Sequence, residues 1–184
     1  MTFAFAAVFL LAGPPRFLGP PEKKPAEGEP AAVAPGQAAP AFAAPVYEGE
    51  PTGMKRFDLA DVVGRRVAAR SPAKAVLISF FDAACEMSRS ELATLEALYT
   101  QYRSSGLVVL SLAPDPAALV KVLAVTYPVA VDRHGAIARK YLGANPRYPA
   151  VVLVGSDGNV VSVKKGYRGD PAVLLRAEVE MALR

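Results

Sequence analysis

The stretch KAVLISFFDAACEMSRSELATLEALY, residues 74–99, decides the fold. Its first eight residues are rich in β-branched and aromatic side chains and are mostly apolar on both faces, which predicts a strand buried in the centre of a sheet. Between Glu86 and Ser104 the apolar residues recur at spacings of three and four, which predicts a helix that stops at Gly106. They are Leu92, Leu95, Leu98, Tyr99 and Tyr102.

Apolar segments separated by turn residues continue to the C-terminus. They predict strands over 107–112, 128–131, 150–154 and 160–163, and helices over 115–123, 135–142 and 170–183. The first strands alternate with helices, which implies parallel pairing, whereas the Asp157-Gly158 turn joins the last two strands as an antiparallel hairpin. The predicted fold class is α/β, a mixed β-sheet with helices on both faces.

Proline divides the 184-residue chain, because ten of its 17 prolines lie in residues 1–51. Residues 1–12 carry an apolar run that is too short to cross a bilayer of about 30 Å, and they predict a signal-like or anchoring segment. Residues 13–45 are interpreted as a disordered Pro/Ala-rich spacer, and residues 46–184 as the folded domain. We therefore expect export to the bacterial periplasm or cell envelope. A cytoplasmic protein with an apolar stub is the alternative, since no basic residue precedes the run.

Composition excludes several classes of function. A single cysteine rules out an internal disulfide, a structural zinc site and a two-thiol redox pair. One histidine and no carboxylate cluster predict no metal site, and no cofactor is expected. The basic residues are scattered without interleaved aromatics, so nucleic acid is not an expected partner.

Cys85 is the candidate for chemistry. It follows the first buried strand and begins the first long helix. Unpaired amide N–H groups and the positive end of the helix dipole favour a thiolate there. The carboxyl ends of parallel strands are also where open α/β folds place their sites. An inert buried thiol is the alternative interpretation.

Residues 46–184 resemble the TlpA/ResA-like envelope thiol–disulfide oxidoreductases, which have a thioredoxin fold. Four stretches carry the resemblance: residues 74–99, YRSSGLVVLSLAPD (102–115), YPVAVDRHGAIARKYLG (127–143) and RYPAVVLVGSDGNVV (147–161). The resemblance implies that Cys85 is the attacking cysteine. It also implies that Pro149, after Tyr148, is the cis-proline that lies beside the thiol and helps to hold an extended substrate.

The chain departs from that family at the site. Ser88 stands where the second cysteine would be, and a hydroxyl cannot resolve a mixed disulfide. Ser79 stands where thioredoxins have a buried carboxylate, and Asp82 stands where a peroxidase of this fold would have a threonine. Ser88 favours the thiolate by hydrogen bonding and Glu86 opposes it by charge, and the sequence leaves the outcome open.

Two functions remain open. The first is a monothiol (CxxS) thiol–disulfide oxidoreductase that forms mixed disulfides through Cys85 with a protein or small-molecule thiol, while Ser88 stabilises the thiolate. The second is a redox-inactive binding or scaffold module with the same groove, so enzymatic activity is left open. The N-terminal segment would anchor the protein to a membrane if it is not removed. The expected substrate-contacting residues are Tyr148, Pro149, Glu86 and Met87.

Overall fold

The computed structural model describes residues 31–47, 53–64, 73–116, 125–166 and 171–184. The strands are β1 (Ala43–Pro45), β2 (Arg56–Asp58), β3 (Ala75–Phe80), β4 (Leu107–Ala113), β5 (Val129–Val131), β6 (Ala150–Gly155) and β7 (Val160–Lys165). The helices are α1 (Leu59–Val62), α2 (Glu86–Tyr102), α3 (Ala136–Leu142) and α4 (Pro171–Ala182), with 3₁₀ turns at Arg103–Ser105 and Arg133–Gly135. No helix in these ranges has both the length and the apolar character needed to cross a bilayer.

The central sheet has five strands in the order β5-β4-β3-β6-β7. All six residues of β3 are buried, as expected for a middle strand with apolar residues on both faces. The strand pairs in parallel with β4 and antiparallel with β6, where Phe80 lies opposite Leu112 and Ala150. Parallel pairing of the first strands and the antiparallel hairpin are therefore as predicted. We call the end of the sheet at which β3, β4 and β5 finish and β6 begins the upper edge.

Helices cover both faces of the sheet, as predicted. On one face α2 and α4 contribute Leu92, Leu95, Leu98, Leu175 and Val179 to a core that includes Leu77, Val109 and Leu153. On the other face α3 and the N-terminal segment contribute Tyr141 and Phe42, which pack with Phe57. The ring centroids of Phe42 and Phe57 are 6.0 Å apart, and those of Phe42 and Tyr141 are 5.8 Å apart.

The predicted spacer is wrong for its last part. Residues 33–45 pack on the domain: the Val33 N–H donates to the Tyr141 carbonyl at 2.9 Å, and the Tyr141 hydroxyl donates to the Pro40 carbonyl at 2.6 Å. Phe42 and Ala44 are buried. Composition misled the prediction because alanine and proline also suit an extended segment at a sheet edge, where small side chains allow close packing.

Some predictions fall on parts of the chain that are not described. Residues 1–30, with the apolar segment and the first part of the spacer, lie outside the described ranges, as do residues 117–123 of the predicted helix over 115–123. The predicted start of the last helix at residue 170 also lies outside them, although α4 itself is present from Pro171.

Candidate active site around Cys85

Cys85 lies at the upper edge, where the chain passes from β3 into α2. The Phe81 N–H still bonds to the Leu112 carbonyl at 3.1 Å, so the sheet continues one residue past β3. A turn follows, in which the Cys85 N–H donates to the Asp82 carbonyl at 3.0 Å and the Ala84 N–H donates to the Asp82 carboxylate at 2.9 Å. Cys85 is the N-cap residue of α2 and is half-buried. The sulfur is thus accessible at the start of a helix.

Ser88 lies beneath this turn. Its side chain is fully buried, and its Oγ accepts a hydrogen bond from the Asp82 N–H at 3.3 Å. Because that bond uses an oxygen lone pair, the hydroxyl proton remains available to the Cys85 sulfur. The serine is therefore held in place by the backbone of the turn that carries the cysteine.

The pKa of the Cys85 thiol is lowered from its ordinary value. The largest cause is hydrogen bonding from the Ser88 backbone N–H, followed by the Ser88 hydroxyl, and the Met87 N–H adds to them. Partial burial and the charge of Asp82 act in the opposite direction. The side chain of the neutral thiol makes no capping hydrogen bond, so this hydrogen bonding stabilises the thiolate, which is the stronger acceptor. The lowering of the thiol pKa by hydrogen bonding therefore exceeds the rise caused by burial and negative charge, a balance that the sequence left open.

Pro149 and Tyr148 lie at the same edge. Since Ala150 pairs with Phe80, Pro149 comes directly beside the start of the Cys85 turn. The Tyr148–Pro149 peptide bond is cis, and Pro149 is buried. Tyr148 is half-buried, and its pKa is raised first by that burial and then by the charges of Asp132 and Asp82. Asp82 therefore lies close to both the Cys85 sulfur and the Tyr148 hydroxyl.

The other two predicted contact residues lie on the first turn of α2. Glu86 is exposed, and the carboxylate that opposes the thiolate is Asp82, which the sequence analysis did not single out for this effect. Met87 is 50% exposed, so it does not fill the core. Both side chains remain available to a molecule that approaches the sulfur.

Glu91 is the residue that sequence reasoning missed. It is 1% exposed, and its Oε1 accepts a hydrogen bond from the Ser79 hydroxyl at 2.6 Å, a length typical of a bond to an ionised oxygen. The sequence analysis found the buried carboxylate of thioredoxins missing at Ser79, yet α2 brings a carboxylate to that very hydroxyl. The signal was present, because Glu91 precedes Leu95 by four residues and so lies on the apolar face of the helix.

A second buried serine adjoins this pair. Ser111 on β4 is the register partner of Ser79, and its hydroxyl lies 3.2 Å from that of Tyr127. Burial raises the pKa of Tyr127, and the charges of Glu96 and Glu91 add to the rise. A polar cluster thus runs inside the core beneath the site. Within the described ranges, no three His, Cys, Asp or Glu side chains come together as metal ligands.

The protein has a thioredoxin fold with a single cysteine at its site. Three features define this class: the mixed five-stranded sheet, the thiol at the start of α2 and the cis-proline just before β6. The chain belongs to the AhpC/TSA family, whose profile matches residues 35–163. It is 29% identical over 116 residues to the thiol-disulfide oxidoreductase ResA of Bacillus thuringiensis subsp. konkukian and to that of Bacillus cereus. The alignments cover 60% of this chain and span 66% of each ResA chain, just under two thirds.

Solved structures agree with the fold. A thiol:disulfide interchange protein of the thioredoxin family from Chlorobium tepidum superposes with a TM-score of 0.62 at 23% identity, over 84% of this chain and 100% of that one. A secreted Mycobacterium tuberculosis disulfide oxidoreductase, described as homologous to E. coli DsbE, superposes with a TM-score of 0.59 at 18% identity, over 76% and 95%. The predicted thioredoxin-like fold and the resemblance to ResA are confirmed.

Replacing Ser88 by alanine should raise the pKa of the Cys85 thiol, because the hydroxyl that stabilises the thiolate is lost while the backbone N–H remains. We expect the pH midpoint of iodoacetamide alkylation to move upward and the rate at neutral pH to fall several-fold. Ser90→Ala, at an exposed position on the same helix turn, is the matched control. An unchanged midpoint in Ser88→Ala would show that the hydroxyl does not act on the sulfur.

Alanine substitutions of the two buried serines, Ser79 and Ser111, together test whether the Glu91 carboxyl is ionised. Ser79→Ala removes a donor to a carboxylate and should lower the free energy of unfolding by about 1.5–3 kcal/mol, whereas Ser111→Ala removes a neutral bond and should lower it by about 1 kcal/mol. Urea unfolding at neutral pH measures both values. Equal losses would mean that the Glu91 carboxyl is not ionised in the folded protein.

Proposed function

We propose that the protein is a thiol–disulfide oxidoreductase of the monothiol type, which forms mixed disulfides through Cys85. The observation that carries the proposal is the accessible sulfur at the start of α2, with its pKa lowered by Ser88. The names of the ResA relatives and of the Chlorobium tepidum structure support the reaction class. Ser88, in place of a second cysteine, limits that reaction to its first half.

The proposed reaction begins with attack by the Cys85 thiolate on one sulfur of a substrate disulfide. A bond forms between Cys85 and that sulfur, and the electron pair of the original S–S bond leaves with the other sulfur as a thiolate. Ser88 stabilises the attacking thiolate by hydrogen bonding. Because a serine hydroxyl cannot attack the mixed disulfide, an external thiolate attacks the substrate sulfur instead. It forms a new disulfide with that sulfur, and Cys85 leaves as the thiolate.

The substrate is proposed to be a protein or small-molecule thiol or disulfide that lies across the upper edge. Tyr148 and Pro149 would contact it from the β6 side of the sulfur, and Glu86 and Met87 from the α2 side. Pro149 begins the buried strand next to β3, so its backbone is rigidly held relative to the turn that carries Cys85. The half-exposed Met87 side chain offers an apolar contact on the opposite side.

The competing function is a redox-inactive binding module that uses the same groove. It would explain the missing second cysteine without any chemistry at Cys85. The accessible position of Cys85 at the start of α2, together with the lowered pKa of its thiol, favours the redox function.

We further propose that the protein is exported to the cell envelope through its apolar residues 3–12. One structural relative is described as secreted. Residues 1–30, fused to an alkaline phosphatase that is active only after export, should give active enzyme. Leu10→Arg/Leu11→Arg in the same fusion should abolish the activity, because charge disrupts an apolar export segment. An inactive wild-type fusion that accumulates inside the cell would contradict export.

The monothiol mechanism predicts that wild-type protein traps its substrate. With a model disulfide, mass spectrometry should detect a stable Cys85 adduct, and the adduct should persist until a free thiol is added. Ser88→Cys should release the substrate without added thiol, because the new sulfur is placed to attack the mixed disulfide and close an internal disulfide.

Two controls make this result specific. Ser90→Cys adds a sulfur two residues further along α2 at an exposed position, and it should leave the adduct unresolved. Cys85→Ser should form no adduct at all. If wild-type protein forms no adduct under conditions where Cys85 is alkylated readily, the binding module is the better account.

A further inference from the structure

The segment that leads to the cis-proline carries positive charge only. Residues 133–147 contain four Lys or Arg residues, one His and no Asp or Glu. We call the four cationic residues the basic rim: Arg133, Arg139, Lys140 and Arg147. All four are exposed.

The basic rim forms no ion pair with the residues that the structure describes. The ion pairs between described residues join Arg56 to Asp58 and Lys164 to Glu178, so no member of the rim forms one within the described ranges. The nearest acidic residue in sequence, Asp132, is buried and occupied, since its carboxylate accepts from the Ile137 and Ala138 N–H groups at 2.8 Å each. Its charge thus caps α3, and the rim faces solvent with its charges exposed.

The rim adjoins the groove beside Cys85. Arg139 Nη1 donates to the His134 carbonyl at 2.6 Å, which holds the guanidinium over the turn before α3. A Cβ atom built on Gly135 would lie 3.5 Å from Arg139 Nη1 and 3.8 Å from the Tyr148 hydroxyl. The guanidinium and the hydroxyl therefore flank the same glycine, and Tyr148 precedes Pro149 directly. Arg133 follows β5 at the upper edge, and Arg147 lies two residues before Pro149.

The α2 side of the groove is net acidic: Asp82 and Glu86 outnumber Arg89, whose Nη1 donates to the Ala83 carbonyl at 3.4 Å. Asp82 and Glu86 are exposed on either side of Cys85 in sequence. Asp82 acts on both the thiol and the Tyr148 hydroxyl, so Tyr148 lies between an acidic and a basic side. A charged substrate that lies across the groove would therefore be favoured in one orientation over the other.

We propose that the partner of this site is a polypeptide segment whose reactive sulfur is flanked by carboxylates, and that the basic rim binds those carboxylates. The inference rests on the proposed function, because the sulfur is taken to react with Cys85. A short segment suits the rim better than a small thiol does, since the rim extends over the seven residues of α3 and both flanking turns. Complementary charge accelerates the encounter and orients the partner.

The test uses peptides that each carry one cysteine as a mixed disulfide with thionitrobenzoate. The Cys85 thiolate attacks the peptide sulfur, the Cys85–peptide disulfide forms, and coloured thionitrobenzoate leaves with the bonding electron pair. Two peptides place three Glu residues on the N-terminal or the C-terminal side of the cysteine, and two place Lys at the same positions. At low salt, where the Debye length is about 30 Å, at least one Glu peptide should react about fivefold faster than its Lys counterpart. The ratio should fall towards one in about 1 M salt, where that length is about 3 Å.

Two double variants test whether the basic rim causes the preference for Glu peptides. Arg133→Gln/Arg147→Gln removes two charges for which no side-chain contact is present among the described residues, and it should reduce the Glu-to-Lys ratio by about threefold. Arg103→Gln/Arg176→Gln removes the same charge from the turn after α2 and from α4. At 1.5 Å per helical residue, Arg103 lies about 27 Å from Cys85. That variant should leave the ratio unchanged.

The outcomes separate this inference from the proposed function. If no peptide releases thionitrobenzoate, the redox function fails, and binding of the same peptides with Ser in place of Cys, followed by fluorescence polarisation, still tests the rim. Tighter binding of a Glu peptide than of its Lys counterpart then supports the inference. Peptides that react without a preference for Glu would overturn the inference and leave the redox function standing. Ser peptides that bind without that preference would overturn the inference after the redox function has failed.

Discussion

Stabilisation of the Cys85 thiolate by the first turn of α2 is the interaction on which the site depends. The backbone N–H of Ser88 contributes most, and the buried Ser88 hydroxyl is second. That hydroxyl is positioned by the Asp82 N–H, which belongs to the turn between β3 and the helix. The same turn places the Asp82 carboxylate near the sulfur, and its charge, together with partial burial, opposes the lowering of the thiol pKa by Ser88.

Beneath the sulfur, the core is polar where an ordinary core is apolar. Ser79 and Glu91 form a buried hydrogen bond that joins the central strand to α2, one helical turn after Ser88. Breaking such a bond removes a donor from a buried carboxyl group, which is more destabilising than the loss of an exposed contact. The pair therefore fixes the register of the first turns of α2 against β3. The position of Cys85 follows from that register.

Much of the fold could be predicted from the sequence, because β3 and α2 have unambiguous apolar periods and the Asp157-Gly158 turn marks the last hairpin. The contribution of residues 33–45 could not, since alanine and proline are typical of both spacers and packed extended segments. The position of Cys85 could be predicted because it lies in sequence between the first buried strand and the first long helix. Glu91 was missed because a charged residue was assumed to be solvated, although its spacing placed it on the buried face. The effect of the Asp82 charge on the thiol depends on how the turn folds back, which spacing alone does not specify.

The most direct test of this account is the thiolate absorbance of the wild-type chain, followed against pH in the folded protein and in urea. Since the chain has one cysteine, the signal below the pH range of tyrosine ionisation reports Cys85 alone. The account predicts a lower midpoint in the folded protein than in the unfolded chain. A folded midpoint at or above the unfolded one would contradict it, because the start of α2 would then offer the sulfur no net stabilisation as an anion.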